Sequence, residues 1–328
     1  MGPKTLISTG DFIDLYYKFR QKGLLVLLNS LRISSKSRVT SKWNQTGFSG
    51  SDFWVIPQVR ARWNEKCTGD PTVPYEDYVF QKYFKHCDGL RMLSVGCGAA
   101  GHERRFGKYP SFSLIEGIDL AAKQIAEARE EAAKSNLANV KYHIGDFKTF
   151  GFQDGDYDVI LFNESLHHFN NIDQFLNQRV KPFLKPTGIL ITFEFAGPNR
   201  LQWTKSQLDF SNQLLKWLPV KYKYRYNSLA IKKKVYRPGW LRMLLVDPSE
   251  SVDSQAILPC LHKYFEILEE KQMDSDILHL LLKDIAHNFL DNSEETNHIL
   301  HYLFDQEDQF ISQKDCSDIF FGVYKKVP

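Results

Sequence analysis

The sequence has few cysteines and no long apolar run, and these absences exclude several kinds of protein. Its 328 residues include five cysteines, with no CxxC pair and no spacing typical of metal ligands. Such a set indicates reduced thiols and predicts neither a disulfide framework nor a metal site. The longest early apolar stretch, residues 23–28, is far too short to span a bilayer. The N-terminus has no signal-peptide pattern, so we expect a cytoplasmic protein without a membrane span.

A strong excess of charge of one sign is also lacking. The formal net charge is only +3, so no overall field favours a nucleic acid or a membrane surface. Hydrophobic residues make up 43% of the chain and charged residues 25%, which are ordinary values for a globular protein. The length allows one large domain or two small ones.

Apolar strand patterns and helical patterns alternate through the middle of the chain. The predicted strands are residues 91–95, 113–118, 140–144, 157–162 and 189–195. Helical periodicity at residues 121–135 and 172–183 lies between some of these strands. This alternation predicts an α/β fold, with a mainly parallel sheet and helices on both of its faces.

The flanking regions have a different pattern. Residues 1–88 are predicted to be an N-terminal helical lead-in, and residues 89–196 the α/β core. The alternation lapses after residue 196, so residues 197–263 are predicted to be an insertion, which forms a cap. Residues 264–328 would add two final strands, at 265–271 and 319–325, separated by one or two helices at residues 275–310. A pair of strands separated in this way suggests an antiparallel edge on a seven-stranded sheet.

Ligands of open parallel sheets bind outside the carboxyl ends of the strands. The first predicted strand ends in the turn GCGAAG, which contains Gly96, Gly98 and Gly101. Glycines there permit a tight turn and let the backbone approach a ligand without interference from a Cβ atom. Taken alone, this turn suits a dinucleotide-binding fold equally well.

Three further polar features leave the next strands in order. Asp119 ends the second strand, Gly145-Asp146-Phe147 follows the third, and a turn from Asn163 to His168 follows the fourth. An acid at the end of the second strand can accept both hydroxyls of a ribose. Either acid could instead cap the helix that follows it. The arrival of all four features in order favours a nucleotide-like cofactor.

The stretch from about residue 90 to 195 resembles the Rossmann-like core of the class I S-adenosylmethionine-dependent methyltransferases. The resemblance implies that S-adenosyl-L-methionine contacts Gly96, Gly98, Gly101, Glu103, Asp119, Leu120, Asp146, Phe147 and Asn163. It places Asp119 at the ribose, Asp146 and Phe147 at the adenine, and Glu103 near the amino group. The backbone of Asn163 would lie beside the methionine moiety.

Two departures from familiar patterns limit what this resemblance implies. GCGAAG replaces the commoner GCGTG, so the turn adds no side-chain hydrogen bond to the cofactor. The chain continues Asn163-Glu164-Ser165 instead of a proline-rich NPPY step, which argues against methylation of adenine N6. A nicotinamide enzyme is disfavoured because the compact G-x-x-G helix packing is missing.

The candidate catalytic residues are His167 and His168, after the fourth strand. A methyl donor needs a base only when the acceptor arrives protonated, and an imidazole with a pKa near 6.5 can take that proton. Neighbouring residues on a turn rarely face the same site, so we expect at most one to be catalytic. Glu164 and Glu194 are weaker alternatives, and a purely structural role for both histidines is also open.

A basic and aromatic stretch lies within the predicted cap. Residues 221–242 contain eight Lys and Arg and no acid, with several tyrosines between them. This pattern suits an anionic acceptor or a nucleic-acid backbone, or simply a lid with solvated lysines. Residues 266–308 contain twelve acids against two Lys or Arg, so the two stretches could pair with each other within one chain or in a homo-oligomer.

The sequence predicts methyl transfer to an oxygen or nitrogen atom of a small molecule. The alternatives are an RNA or protein methyltransferase that docks through residues 221–242, and a non-catalytic module that keeps the cofactor fold. No separate RNA-binding motif is present, which argues against a nucleic-acid partner. The resemblance also implies that residues 1–88 act as a lid, residues 89–196 bind the cofactor and residues 197–263 select the acceptor. Further candidates are Arg60, Arg62, Trp63 and Asn64 for closing over the cofactor, and Glu250 or Ser251 for reaching the acceptor.

Overall fold

The computed structural model describes residues 5–22, 52–314 and 317–327, and its centre is one seven-stranded sheet. The strand order is β3-β2-β1-β4-β5-β7-β6. The strands in chain order are β1 Leu90–Val95, β2 Phe112–Asp119, β3 Val140–Ile144, β4 Tyr157–Asn163, β5 Leu184–Phe195, β6 Phe265–Asp274 and β7 Ile319–Lys326. The pairings among β1 to β5 are parallel, whereas β7 pairs antiparallel with both β5 and β6. The predicted α/β sheet with an antiparallel edge is confirmed.

Helices precede, connect and follow these strands. Within the described residues the α-helices are α1 Thr9–Lys22, α2 Pro57–Thr68, α3 Tyr75–Val79, α4 Gly101–Phe106, α5 Ala122–Lys134, α6 Ile172–Phe175, α7 Lys205–Trp217, α8 Trp240–Val246, α9 Ile257–Tyr264, α10 Leu278–Leu282 and α11 Glu294–Ile311. None of the helices in this described part is long and apolar enough to cross a membrane.

The sheet separates two hydrophobic cores, because neighbouring residues of a strand point to opposite faces. On β4, Val159 and Leu161 join one core, while Ile160 and Phe162 join the other. The first core also contains residues of α2, α3, α7 and α11, and the second contains residues of α6 and α9. Helices therefore cover both faces, which explains why the central strands are apolar at nearly every position.

The ends of several elements differ from the sequence predictions. Strand β5 begins at Leu184, so the turn predicted at residues 185–188 lies inside the strand. The helix predicted to reach residue 183 ends its helical turns at Val180. The helical stretch predicted at residues 275–310 is broken into α10, a 3₁₀ turn at Ala286–Phe289, and α11. Periodicity predicts which side chains face the core, but it does not predict where a continuous backbone pattern breaks.

The flanking segments pack on the sheet and on each other. In α2, the Arg62 guanidinium donates to Asp274 at the end of β6, with Nε and Oδ2 2.7 Å apart. In α1, the Asp11 carboxylate accepts from the Gly239 N–H at 2.9 Å, immediately before α8. The end of the predicted cap, α9, packs into the second core beside α6. The lead-in and the cap are thus attached to the core by specific contacts. The predicted helix at residues 11–31 continues past Lys22 into a part outside the described residues.

Candidate active site

The glycine turn after β1 has a backbone that requires glycine at two positions. Gly96 has φ +72°, and a Cβ atom there would lie 2.7 Å from the Ser165 Cβ. Gly98 has φ +53°, and its Cβ would lie 2.6 Å from the Gln124 Oε1. Gly101 begins α4 and has open space around it. The turn therefore brings bare backbone to the carboxyl edge of β1, next to the turn that follows β4.

Asp119 holds the glycine turn from the end of β2. Its Oδ2 accepts from the Gly98 N–H at 3.0 Å, and its Oδ1 accepts from the Ala121 N–H at 2.7 Å. Leu120, between them, is half-buried. Each carboxylate oxygen has two lone pairs, so these bonds leave acceptor capacity for hydroxyl donors. The carboxylate thus shapes the turn, and it has the chemistry to bind a ribose as well.

Glu103 is a buried carboxylate one turn into α4. It is 1% exposed, and burial raises its pKa above the ordinary value. Its Oε1 accepts from the Ser94 hydroxyl, while its Oε2 is buried with no hydrogen-bond partner among the described residues. A buried acceptor without a donor is costly, and an ammonium group would satisfy it.

Asp146 and Phe147, the two candidate residues after β3, have different surroundings. Asp146 is half-buried, and its Oδ1 accepts from the Lys148 N–H at 3.0 Å. The Phe147 ring is 3% exposed and lies within 5.6 Å of the Phe183 ring and 5.8 Å of the Phe175 ring, measured between centroids. Core packing accounts for this aromatic residue, so stacking of its ring on adenine has no support in this arrangement.

Asn163 ends β4 and contacts the lead-in. Its side-chain oxygen accepts from the Tyr75 hydroxyl at 3.0 Å. Tyr75 opens α3, is 7% exposed, and lies against Phe193 of β5 with ring centroids 5.6 Å apart. No motif in the sequence pointed to Tyr75, because the contact joins distant segments.

The turn after β4 is anchored by Glu194, near the end of β5. Its Oε2 accepts from the N–H groups of Ser165 at 2.8 Å and Leu166 at 2.5 Å. Glu164 has φ +50°, which is uncommon for a residue with a side chain. Burial raises the pKa of Glu164 to about 7, and the neighbouring Glu194 carboxylate adds to this effect. A strained backbone held by a buried carboxylate is typical of functional sites.

His167 lies between two carboxylates. Its Nδ1 bonds to the Oε1 of Glu194, and its Nε2 lies 3.5 Å from the Oε1 of Glu250. Burial alone would lower the pKa of His167, but these two carboxylates raise it to about 10. The ordinary pKa near 6.5 expected from the sequence is therefore wrong for this residue. Glu194 and Glu250, ranked only as alternatives from the sequence, are both in the cluster.

His168 faces the cap. Its Nδ1 lies 3.2 Å from the Ser249 hydroxyl, which itself donates to the Asp247 Oδ1 at 2.6 Å. The cap is tied to the same turn through the backbone, because the Val252 N–H donates to the His167 carbonyl at 3.2 Å. Both histidines therefore lie at one edge of the sheet, against residues from the predicted insertion.

Comparisons with known proteins agree with this arrangement. A family model described as a methyltransferase domain matches residues 86–243. Over 138 residues the chain is 32% identical to a ubiquinone biosynthesis O-methyltransferase of Rhodopseudomonas palustris, covering 40% of this chain and 49% of that protein. Over 109 residues it is 31% identical to phosphoethanolamine N-methyltransferase 2 of Caenorhabditis elegans, covering 32% of this chain and 24% of that protein. Residues 86–243 therefore match a methyltransferase domain, and the comparisons support a class I S-adenosylmethionine-dependent methyltransferase.

The fold of this chain also matches a solved structure. Phosphoethanolamine N-methyltransferase 2 of Haemonchus contortus superimposes with a TM-score of 0.52 at 15% identity, covering 91% of this chain and 61% of that one. At this identity the likeness concerns the fold alone. The chain spans about half the length of the R. palustris protein and about a quarter of the C. elegans protein.

Much of the basic stretch of the predicted cap is paired within the chain. Lys221 lies 2.6 Å from Glu295, and Arg225 lies 2.8 Å from Asp284. The Lys232 ammonium is buried and donates to three backbone carbonyls, those of Leu280, Leu281 and Lys283. The basic and acidic stretches therefore meet inside one chain, as one of the alternatives from the sequence had it. This pairing weakens the case for a nucleic-acid docking strip.

Aromatic rings form a continuous series from Phe193 of β5 to the histidines that follow β4. Ring centroids lie 5.0 Å apart for Trp63 and Phe193, and 5.8 Å apart for Phe53 and Trp63. Phe53 lies 5.4 Å from the ring of His279, a half-buried histidine whose pKa is lowered to about 4 by the loss of solvent around it. The series continues through Trp203 and Phe195, ending 6.2 Å from the ring of His167.

The lead-in residues proposed as a lid have partners of their own. Arg62 bonds to Asp274 and lies 2.8 Å from Asp308. Asn64 donates to the Pro71 carbonyl at 3.0 Å. Trp63 is 8% exposed and packs in the first core. Within this group, Trp63 contributes most directly to the surroundings of the site, through its contact with Phe193.

Proposed function

We propose that this chain is an active enzyme that transfers a methyl group from S-adenosyl-L-methionine to an oxygen atom of a small molecule. The observation that carries the proposal is the buried His167–Glu194 pair, which lies at the same sheet edge as the glycine turn and Asp119. One edge thus combines bare backbone for a cofactor with groups that can handle a proton.

The cofactor side would use the strand-end residues predicted from the sequence. These are Gly96, Gly98, Gly101, Glu103, Asp119, Leu120, Asp146, Phe147 and Asn163. The buried Oε2 of Glu103, which has no partner among the described residues, fits an ammonium group. The spare lone pairs of Asp119 fit ribose hydroxyls. In this proposal Phe147 contributes its backbone, because its ring is packed in the core.

The acceptor side would use His167 and His168, with Glu194 holding the first of them in place. When bound, the cofactor would supply a methyl group on a positively charged sulfur. The acceptor oxygen would gain this methyl group and give its proton to His168, because the raised pKa of His167 keeps that imidazole protonated at neutral pH. The His167 cluster receives the acceptor hydroxyl and holds it in one position. Positioning of this kind supplies a large share of catalysis when the donor is already activated.

The aromatic series supports an acceptor with a largely apolar body. Phe195 and Trp203 are buried and, together with His279, would give an acceptor beside His167 largely apolar surroundings. The paired state of Lys221 and Arg225 reduces the support for an anionic acceptor. The relatives named above include an O- and an N-methyltransferase, so the choice of oxygen rests on the His167 cluster.

The flanking segments would enclose this site. Residues 1–88 contribute Tyr75 and Trp63 beside β5, and residues 197–263 contribute Glu250 and Ser249 beside the histidines. We propose the first segment as the lid over the cofactor and the second as the cap that selects the acceptor. Enclosure excludes water from the reacting groups.

The test measures formation of S-adenosylhomocysteine by the full chain with panels of hydroxyl and amine acceptors. We expect turnover with at least one hydroxyl compound. His167→Gln should lower kcat by at least about 100-fold, with affinity for S-adenosylhomocysteine unchanged within about threefold. His262→Gln is the matched control, because His262 pairs with Glu270 at an exposed position.

Three outcomes would contradict the proposal in different ways. Turnover with amines alone would move the acceptor atom to nitrogen. Cofactor binding without turnover on any acceptor would favour a non-catalytic module. Turnover that depends on a polynucleotide and falls steeply with salt would favour RNA as the substrate.

A further inference from the structure

Three side chains at the carboxyl edge of the sheet, beside the end of β4, have the identity and spacing of metal ligands. His167 and His168 follow β4, and Glu250 comes from the cap. One candidate ligand atom of each lies within 4.8 Å of the candidate atoms of the other two. No sequence motif predicts this group, because the carboxylate and the histidines come from distant segments.

Two of these atoms are separated by the distance expected between two ligands of one metal ion. The His167 Nε2 and the Glu250 Oε1 are 3.5 Å apart. Two ligands at about 2.1 Å from a tetrahedral ion would themselves be about 3.4 Å apart. The observed separation therefore matches that of two ligands of one ion. The candidate ligand atom of His168 lies within 4.8 Å of both.

The surrounding hydrogen bonds are those found around metal-bound histidines. The Nδ1 of His167 bonds to the Glu194 carboxylate, which is fixed in turn by the N–H groups of Ser165 and Leu166. The Nδ1 of His168 lies 3.2 Å from the Ser249 hydroxyl. A carboxylate or hydroxyl on one ring nitrogen orients the other nitrogen toward a metal and makes it a better ligand.

The local charge favours a cation. The Glu164 carboxylate lies close enough to those of Glu194 and Glu250 for their charges to interact. Collecting carboxylates in a buried place is expensive unless positive charge balances them. A divalent ion between His167 and Glu250, in place of the proton on the His167 Nε2, would supply that charge at the centre of the group.

We propose that His167, His168 and Glu250 form a mononuclear site for a first-row divalent transition-metal ion, with coordination positions open toward the acceptor. Two imidazoles and one carboxylate suit zinc, manganese or iron(II) better than calcium or magnesium, which prefer oxygen ligands alone. The inference deepens the proposed function and rests on it. The ion would bind the acceptor hydroxyl and make it easier to deprotonate. The acceptor class would then be small molecules whose hydroxyl can ligate a metal.

The test is calorimetric titration of the metal-stripped full chain with zinc chloride at neutral pH, without cofactor or acceptor. We expect one zinc ion per chain. His168→Ala and Glu250→Ala should each weaken zinc binding at least tenfold, and the double variant at least a hundredfold. His262→Ala is the matched control, because the exposed His262–Glu270 pair, 2.7 Å apart, has the same ligand types without a third group.

Two further measurements separate a failed site from a failed fold or a failed function. Cobalt(II) should give visible absorption bands typical of four or five ligands in the wild type, and these bands should vanish in the double variant. Binding of S-adenosylhomocysteine reports on the cofactor side independently. Zinc binding by the wild type no tighter than by the double variant would overturn the inference and leave His167 in a simple ion pair with Glu194 and Glu250. Loss of cofactor binding alone would instead count against the proposed function.

Discussion

Asp119 shows how one side chain can have both a structural and a binding role. Its two oxygens accept from the N–H groups of Gly98 and Ala121 and so fix the turn that a cofactor would approach. The sequence left capping and ribose binding as alternatives. The structure makes them compatible, because a carboxylate can accept up to four hydrogen bonds.

We expect Asp119→Ala to weaken binding of S-adenosylhomocysteine at least tenfold, or about 1.4 kcal/mol. The substitution removes the ribose acceptor and also loosens the Gly98 turn. Isothermal calorimetry measures the change. Asp70→Ala is the control, since Asp70 makes a similar local turn with Thr72 at an exposed position. Equal affinity of the wild type and the Asp119 variant would refute the cofactor-site assignment.

His167 illustrates what a residue type alone does not determine. The sequence predicts the place of His167 at the carboxyl edge of β4, but residue type alone predicts only the ordinary pKa of an imidazole. The folded chain surrounds it with Glu194 and Glu250, and the pKa rises to about 10. Charge partners contributed by other elements set this value, and their positions are a property of the tertiary structure.

At the scale of elements, α7 connects the cap to the edge of the sheet. Thr204 and Gln207 form a capping box at its N-terminus. The Gln207 N–H donates to the Thr204 Oγ1, and the Thr204 N–H donates to the Gln207 Oε1 at 2.9 Å. The other end of the Gln207 side chain donates to Asp318, just before β7. The capping box of α7 therefore also links the start of this helix to the segment just before β7.

Thr204→Ala should lower the free energy of unfolding by about 1 kcal/mol, since an N–H group at the helix start loses its acceptor. Thr204→Ser keeps the hydroxyl and should be nearly neutral. Urea denaturation followed by circular dichroism compares the two variants. Equal stability of both would show that the hydroxyl bond contributes nothing.

The boundaries of elements were the weakest part of the sequence prediction. The strands β1 to β4 were placed to within about a residue, because short apolar runs bounded by glycine or polar turns predict buried strands well. The sequence predicts that β5 begins at residue 189, because Pro186 and Gly188 suggest a turn before it. In the structure β5 already begins at Leu184, which pairs with Tyr157 of β4, so the turn-like residues lie inside the strand.

At the scale of the whole molecule, a buried carboxylate joins the last helix to the sheet. The Oε1 of Glu307 in α11 accepts from the N–H groups of Ser275, Ile277 and Leu278, which follow β6. Burial raises the pKa of Glu307 to about 8, and the neighbouring carboxylate of Asp274 adds to this effect. The folded protein therefore holds a proton that the unfolded chain releases near its ordinary pKa of 4.5.

The stability of the whole chain should therefore fall as pH rises from about 5 to 8 because of this group. A group whose folded pKa is raised binds more protons in the folded state, so raising the pH favours unfolding, by at most about 1.4 kcal/mol per pH unit for one proton. Glu307→Gln should flatten this dependence. Denaturant titrations across this pH range measure it. Glu294→Gln, exposed on the same helix, should keep the wild-type slope, and a wild-type slope in both variants would contradict the assignment.

The sequence by itself determined the sheet, its antiparallel edge and the glycine turn, because these depend on local periodicity and on backbone angles that favour glycine. It also placed His167, Asp119 and Glu103 at strand and helix ends, since the carboxyl ends of parallel strands meet at one edge. Only the tertiary structure decided that Tyr75 meets Asn163, and that Glu250 meets His167. Such contacts join segments far apart in the chain, and they follow from how the lead-in and the cap pack on the sheet.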